Sequence, residues 1–184
     1  MASCFATQGF PLDCKTVGGV TAIYLVESTA VSASRLTIVS GSVTNTGSFL
    51  STGKMFYLYA QHTQQADWTE QVKSNPANQS IEVDEKLTFT LFKSDVNKRN
   101  EAMNLAGTDV VALVTLNDST SWLVGSTFVA GAPNPLGLNF EGSYSSGKNF
   151  TDKNGWNYTV SGQSTAPAYQ VSASLIAALT VAAP

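Results

Sequence analysis

The stretch Ser80-Ile81-Glu82-Val83-Asp84-Glu85-Lys86-Leu87-Thr88-Phe89-Thr90-Leu91-Phe92 decides the fold class. In its second half every other residue is large and apolar, as at Leu87 and Phe89, and the residues between them are polar. This period of two is typical of a β-strand that is buried on one face. Toward its start only Ile81 and Val83 are apolar. The strand is therefore predicted to pack on a core near its end and to project away from the core near its start.

A second strand is predicted just before the first, at Trp68–Lys73. The connection Ser74–Gln79 contains Pro76, which cannot donate to a sheet hydrogen bond, between asparagines that tolerate turns. We therefore predict a two-stranded arm over about Asp67–Lys93. Because its outer half carries few large apolar residues, we expect contact with a neighbouring subunit to order it. The residues assigned to this interface are Trp68, Glu70, Lys73, Asn75, Pro76, Asn78, Ile81 and Val83.

The rest of the chain is also rich in strand signals, which are short runs of β-branched and aromatic residues between turn formers. Such strands are predicted at 20–26, 35–39, 41–46, 55–59, 109–116, 121–126 and 156–160. Asn154-Gly155 is a tight-turn signal, whereas 170–181 fits either a strand or a short helix. The predicted fold is mainly β: an antiparallel β-sandwich or partly closed barrel, in one domain over residues 1–184.

One α-helix is predicted to flank this sandwich, at Asp95–Ala106. Ser94 is a candidate N-cap, and Gly107 can adopt the left-handed conformation that often closes a helix. The face of this helix that we expected to pack is only weakly apolar, which predicts a position on the outside of the sheet. That face consists of Val96, Arg99, Met103 and Ala106.

The composition indicates a protein whose surface is largely covered by other copies of itself. Charged residues make up 12% of the 184 residues, about half of the usual quarter. Subunit interfaces are depleted in Lys, Glu and Asp, so a homo-oligomer fits this composition. The formal net charge of -3, from 10 basic and 13 acidic residues, argues against a nucleic-acid-binding surface, which needs clustered cations.

The residues needed for catalysis or for a metal site are few. His62 is the sole histidine and carries no sequence signature of a general base, so we interpret it as an exposed strand-end residue. Cys4 and Cys14 are too few ligands for a zinc site. We expect both thiols to be free and reduced, with a Cys4–Cys14 disulfide as the alternative. The prediction is no catalytic residue, no metal and no cofactor.

Acidic and aromatic residues offer two further hypotheses. The acids of the long strand, Glu82, Asp84 and Glu85, could be paired carboxylates, but a solvent-exposed strand face is the simpler interpretation. The three tryptophans could stack on a sugar, but large aromatics on strands more often fill a core or a subunit contact. Met1–Thr7 shows no secretory signal, and no apolar run is long enough to span a membrane.

The order of several motifs resembles that of tail tube proteins of long-tailed phages and prophages of Bacteroidetes bacteria. The similar stretches are 13–25, 54–59, 68–71, 85–89, 98–101, 122–125, 137–138, 146–148, 152–156, 161–163 and 167–168. Their turn residues are Gly18, Gly19, Gly125, Gly137, Gly147, Asn154 and Gly155. The resemblance covers most of the chain, but Thr127–Pro135 stands as an insertion relative to the family pattern.

The resemblance implies a structural virion protein without enzymatic activity. In that family six copies form a ring, and rings stack into a tube through which the genome passes without specific DNA binding. It also implies contacts with other tail or neck proteins, synthesis in the bacterial host cytoplasm, and no membrane contact. The arm would then couple successive rings.

Two alternatives remain open from the sequence. Another virion part, such as a head decoration or neck protein, would share the composition and the strand content. A carbohydrate-binding β-sandwich that uses the tryptophans is the alternative from another class. An enzyme is the interpretation with the least support.

Overall fold

The computed structural model describes residues 18–181 except 33, 46, 61, 63, 78–79, 130–131, 135–136 and 150. Fourteen strands and two α-helices follow one another along this part of the chain. The strands are β1 Val20–Glu27, β2 Ile38–Val39, β3 Ser42–Val43, β4 Phe56–Leu58, β5 Ala66–Asn75, β6 Ser80–Phe92, β7 Val110–Leu116, β8 Ser121–Val124, β9 Thr127–Val129, β10 Ala132–Asn134, β11 Asn139–Ser145, β12 Gly155–Ser164, β13 Tyr169–Val171 and β14 Thr180–Val181. The helices are α1 Val96–Ala106 and α2 Ala173–Leu179, and a single 3-10 turn covers Ser28–Ala30.

The larger sheet has eight strands in the order β14-β4-β1-β7-β8-β13-β3-β2. Its centre is β7, where the continuous apolar run 110–114 is fully buried on both faces. A run of this kind belongs in the middle of a layered structure, because both of its faces need apolar neighbours. β1 and β8 pair with it antiparallel, whereas the pairs β13–β3 and β14–β4 are parallel.

The smaller sheet has four antiparallel strands in the order β11-β12-β6-β5. Its inner face packs on one face of the larger sheet, as the period of two in β6 predicts. The core between them includes Leu87 and Phe89 from β6, Val160 from β12 and Val114 from β7. A third, two-stranded sheet joins β9 and β10, so strands occupy much of the predicted insertion.

A second core lies on the opposite face of the larger sheet. Val111 and Leu113 of β7 point into it, and Phe49 packs edge-on against Phe56 at a centroid distance of 6.3 Å. The cover on this side comes from the segment between β1 and β4 and from α2, which contributes Leu175 and Leu179. The segment that fitted either a strand or a helix contains both, with α2 between β13 and β14.

Helix α1 ends at Ala106 as predicted, but it differs from its prediction in its N-cap, in the conformation of Gly107 and in its buried face. Asp95, not Ser94, is the N-cap, and its carboxylate accepts the backbone N–H of Lys98 at 2.8 Å. Gly107 ends the helix with a φ of -92° and therefore without the left-handed conformation. Ala102 and Leu105 form the buried face and join the core between the sheets.

The face predicted to pack is exposed instead: Val96 and Met103 are 71% and 76% exposed. The difference has a physical cause: Ala102 and Leu105 lie about 100° around the helix axis from Met103 and Ala106, and they supply the two apolar side chains that this contact needs. The prediction of fold class is confirmed: the chain is mainly β, with two packed sheets, a flanking helix and a long hairpin arm. The sheets remain open over the described residues, which makes the structure a sandwich.

Candidate assembly surface

The arm is the ribbon formed by β5 and β6. Its strands pair in continuous antiparallel register from Ala66 opposite Phe89 to Asn75 opposite Ser80. At the tip, the Asn75 side-chain oxygen accepts the backbone N–H of Ala77 at 3.1 Å, a local bond that favours the turn. Asn78, which the sequence also assigned to the interface, lies outside the described residues.

The inner face of the arm is the face that carries Trp68, Glu70 and Val72 on β5 and Ile81, Val83, Glu85 and Leu87 on β6. At the base of the arm, this face is fixed to the body. Val83 and Leu87 are fully buried. Trp68 stacks on Trp122 of β8 with ring centroids 6.0 Å apart. Two of the residues assigned to the interface, Trp68 and Val83, therefore contact the subunit's own core.

The outer end of the arm has little of its own domain against it. Every residue from Thr69 to Ala77 is exposed, and so are the first three residues of β6. On the inner face, Val72 and Ile81 are 60% and 63% exposed, although Val72 lies directly opposite the buried Val83. The apolar inner face thus continues beyond the body and ends in uncovered side chains.

The opposite face of the arm is polar and internally paired. Lys73 of β5 forms an ion pair with Asp84 of β6, and Asp84 also accepts the Gln163 side-chain N–H of β12 at 3.1 Å. The hydrogen bond from Lys73 lowers the pKa of the Asp84 carboxyl, so the pair stays charged at neutral pH. These two contacts connect β5, β6 and β12 through polar side chains alone.

β5 is also an edge strand. It pairs with β6, and no second strand pairs with it among the described residues. Such an edge presents a row of backbone donors and acceptors that another chain can extend. Lys73 and Glu70 place charges along it, and charges on an edge strand discourage indiscriminate pairing with other chains.

Glu85 contradicts the interpretation of the strand acids as a solvent-exposed group. It is 1% exposed, and its carboxylate accepts the backbone N–H of Gly125 at 2.9 Å. Glu82 is exposed as expected and Asp84 is half-buried. The signal was present in the sequence: the alternation through Val83 and Leu87 places residue 85 on the inner face. Burial raises the pKa of the Glu85 carboxyl from 4.5 to about 7.

Four of the seven family-like turn residues have positive φ angles, and Gly18, Asn154 and Gly155 do not. Gly19, Gly125, Gly137 and Gly147 have positive φ angles between 74° and 107°, which a side chain would disfavour. Gly155 is not in a turn, which corrects the tight-turn prediction for Asn154-Gly155. It is the first residue of β12, between Phe92 and Ser145, and a Cβ atom there would lie 2.4 Å from the Leu91 carbonyl oxygen.

His62 and the three tryptophans are the residues that the sequence offered for catalysis and for sugar stacking. His62 is exposed beside the Phe92 ring, at a centroid distance of 5.0 Å. Trp68, Trp122 and Trp156 are all partly buried against the core between the sheets. Within the described ranges, no three His, Cys, Asp or Glu side chains are grouped closely enough to hold a metal ion.

Neither helix of the described residues is long and apolar enough to cross a bilayer. Cys4 and Cys14 lie outside the described residues.

Comparisons with models of protein families, with curated proteins and with solved structures gave no match to this chain.

Proposed function

We propose that this chain is a non-enzymatic structural subunit whose copies assemble through the arm. The observation that carries the proposal is the continuation of the apolar inner face beyond the body, where Val72 and Ile81 remain uncovered. A two-stranded ribbon is marginal in water unless something packs on it. A second copy of the chain is the partner that supplies that packing.

The form of assembly we propose is a set of rings, stacked as the tail tube of a long-tailed phage. A closed ring covers the edge strands that each sheet leaves open, and the projecting arm gives each ring a contact with the next. The choice of a tube, its six-fold ring and its place in the virion tail come from the family resemblance. The net charge of -3 suits a lumen through which DNA passes without being held.

An arm-shortened variant tests the proposal. Replacing residues 74–81 by Asn-Gly joins Lys73 to Glu82, which are paired in the native register, through the two-residue turn that antiparallel strands favour. The body and the buried base of the arm stay intact. We expect a subunit that melts as the wild type does but no longer forms rings or tubes in negative-stain images and sedimentation velocity.

A matched control keeps the length of the arm. Gln71→Ser changes an exposed residue on the polar face and should leave both folding and assembly unchanged. Tubes of normal length from the shortened variant would refute the role of the arm. Loss of assembly in both variants would show that the effect is not specific to the inner face.

A further inference from the structure

The base of the arm carries two acids that face each other. Glu70 of β5 and Glu85 of β6 are direct cross-strand neighbours on the inner face, where side chains of such a pair lie about 5 Å apart at Cβ. Two like charges in this arrangement repel each other. At the base of the arm, the other residues of this face are apolar, so the pair is costly there unless its surroundings offset the repulsion.

Each of these acids accepts one backbone N–H from the body. The Glu70 carboxylate accepts that of Ala168 at 2.7 Å, and the Glu85 carboxylate accepts that of Gly125 at 2.9 Å. Gly125 follows β8 and Ala168 precedes β13, two strands that are neighbours in the larger sheet. The two bonds therefore connect the smaller sheet to the larger one at the point where the arm leaves the body.

The two carboxyls differ in their environment. Glu70 is exposed, whereas Glu85 is buried, and its second oxygen, Oε1, has no hydrogen-bond partner among the described residues. The titratable groups that face it are Glu70 across the ribbon and Tyr169 of β13, which is neutral at physiological pH. No described cation is paired with the Glu85 carboxyl. Lys73 lies on the opposite face of the arm, where it binds Asp84.

We propose that Glu85, opposed by Glu70, is a pH-sensitive latch that holds the base of the arm to the body when Glu85 is protonated and loosens it when Glu85 ionises. In the protonated form the carbonyl oxygen accepts the Gly125 N–H and no charge is buried. On ionisation one proton passes to solvent. The buried carboxylate then has a single N–H donor and the Glu70 charge beside it, so the open state becomes more favourable.

The direction of the effect follows from linkage. Burial, with a contribution from Glu70, raises the pKa of Glu85 from 4.5 to about 7 in the folded chain. A carboxyl with a raised folded pKa stabilises the closed state fully below its unfolded pKa, and the stabilisation is lost as pH rises through the folded value. Between pH 5 and pH 8 the opening equilibrium is expected to increase by about one to two orders of magnitude.

Hydrogen exchange of the unassembled subunit tests the latch without reference to assembly. The protection factors of the Gly125 and Ala168 amides, which are corrected for intrinsic exchange, should fall between pH 5 and pH 8 in the wild type. Glu85→Gln keeps the shape and the neutral charge of the protonated acid, so its protection factors should not change over this range. Glu82→Gln, an exposed change on the same strand, should behave as the wild type.

A second variant keeps the test decisive if Glu85→Gln folds poorly. Glu70→Gln can still accept the Ala168 N–H but removes the facing charge, and it should move the midpoint of the transition to lower pH. Protection that is independent of pH in the wild type would overturn the proposal. So would a wild-type pH dependence retained in Glu85→Gln, or a midpoint unmoved in Glu70→Gln.

Discussion

Replacing Val72 and Ile81 by threonine separates the stability of the subunit from its assembly. Fully burying a valine or isoleucine side chain contributes about 1.5–3 kcal/mol. Because the two residues are 60% and 63% exposed, a partner that covers both would gain about 2–4 kcal/mol for the pair. Threonine keeps the β-branched shape that suits a strand but places a hydroxyl in the contact.

Threonine keeps one methyl group, so we expect most but not all of this gain to be lost. The critical concentration for assembly, measured by sedimentation velocity over a concentration series, should then rise about 10- to 100-fold. The free energy of unfolding of the subunit, from chemical denaturation below that concentration, should change by about 0.5 kcal/mol or less, because both positions are exposed. The variant should therefore remain folded while it loses assembly.

Val83→Thr is the matched control, since Val83 lies opposite Val72 but is fully buried in the subunit. The same substitution there should destabilise the subunit by about 1–3 kcal/mol, because it buries a hydroxyl in the core. Assembly of the Val72 and Ile81 variant at the wild-type concentration would show that these side chains do not lie in the contact between subunits. A loss of stability as large as that of Val83→Thr would show that Val72 and Ile81 pack on the subunit's own body.

The other predictions concern the two sheets. Leu113→Ala, in the fully buried centre of β7, should reduce the free energy of unfolding by about 2–5 kcal/mol in chemical denaturation, and a loss under 1 kcal/mol would show that β7 is not the centre of the core. Gly155→Ala should lower the melting temperature, because its Cβ would lie 2.4 Å from the Leu91 carbonyl and force β12 away from β6. Gly18→Ala has nothing within 4 Å and serves as its control, and equal melting temperatures for the two variants would contradict the close approach.

Local patterns in the sequence predicted most of the strands. The alternation in β6, the hairpin of β7 and β8 around the polar turn at 117–119, and β1 after the glycine pair are all found in the structure. These signals succeed because period, turn chemistry and burial act over a few residues. The arm was predictable for the same reason, since its two strands and its turn are contiguous in the chain.

The pairing of distant segments was not predictable from such patterns. The parallel pairs β13–β3 and β14–β4 join strands of only two or three residues that are more than one hundred residues apart. Strands this short carry no clear period, so only the packing of the second core selects them. We did not predict the burial of Glu85, because we assumed that an acidic side chain on a strand faces solvent. The alternation of the residues around it places it on the inner face.

Electron microscopy of the purified protein across a concentration series tests self-assembly most directly. The proposed function predicts rings or tubes of uniform width, with density from the arm of one subunit on the next and the side chains of Val72 and Ile81 inside that contact. A protein that remains a monomer at every concentration would contradict it. So would an ordered assembly in which the arm packs on its own body.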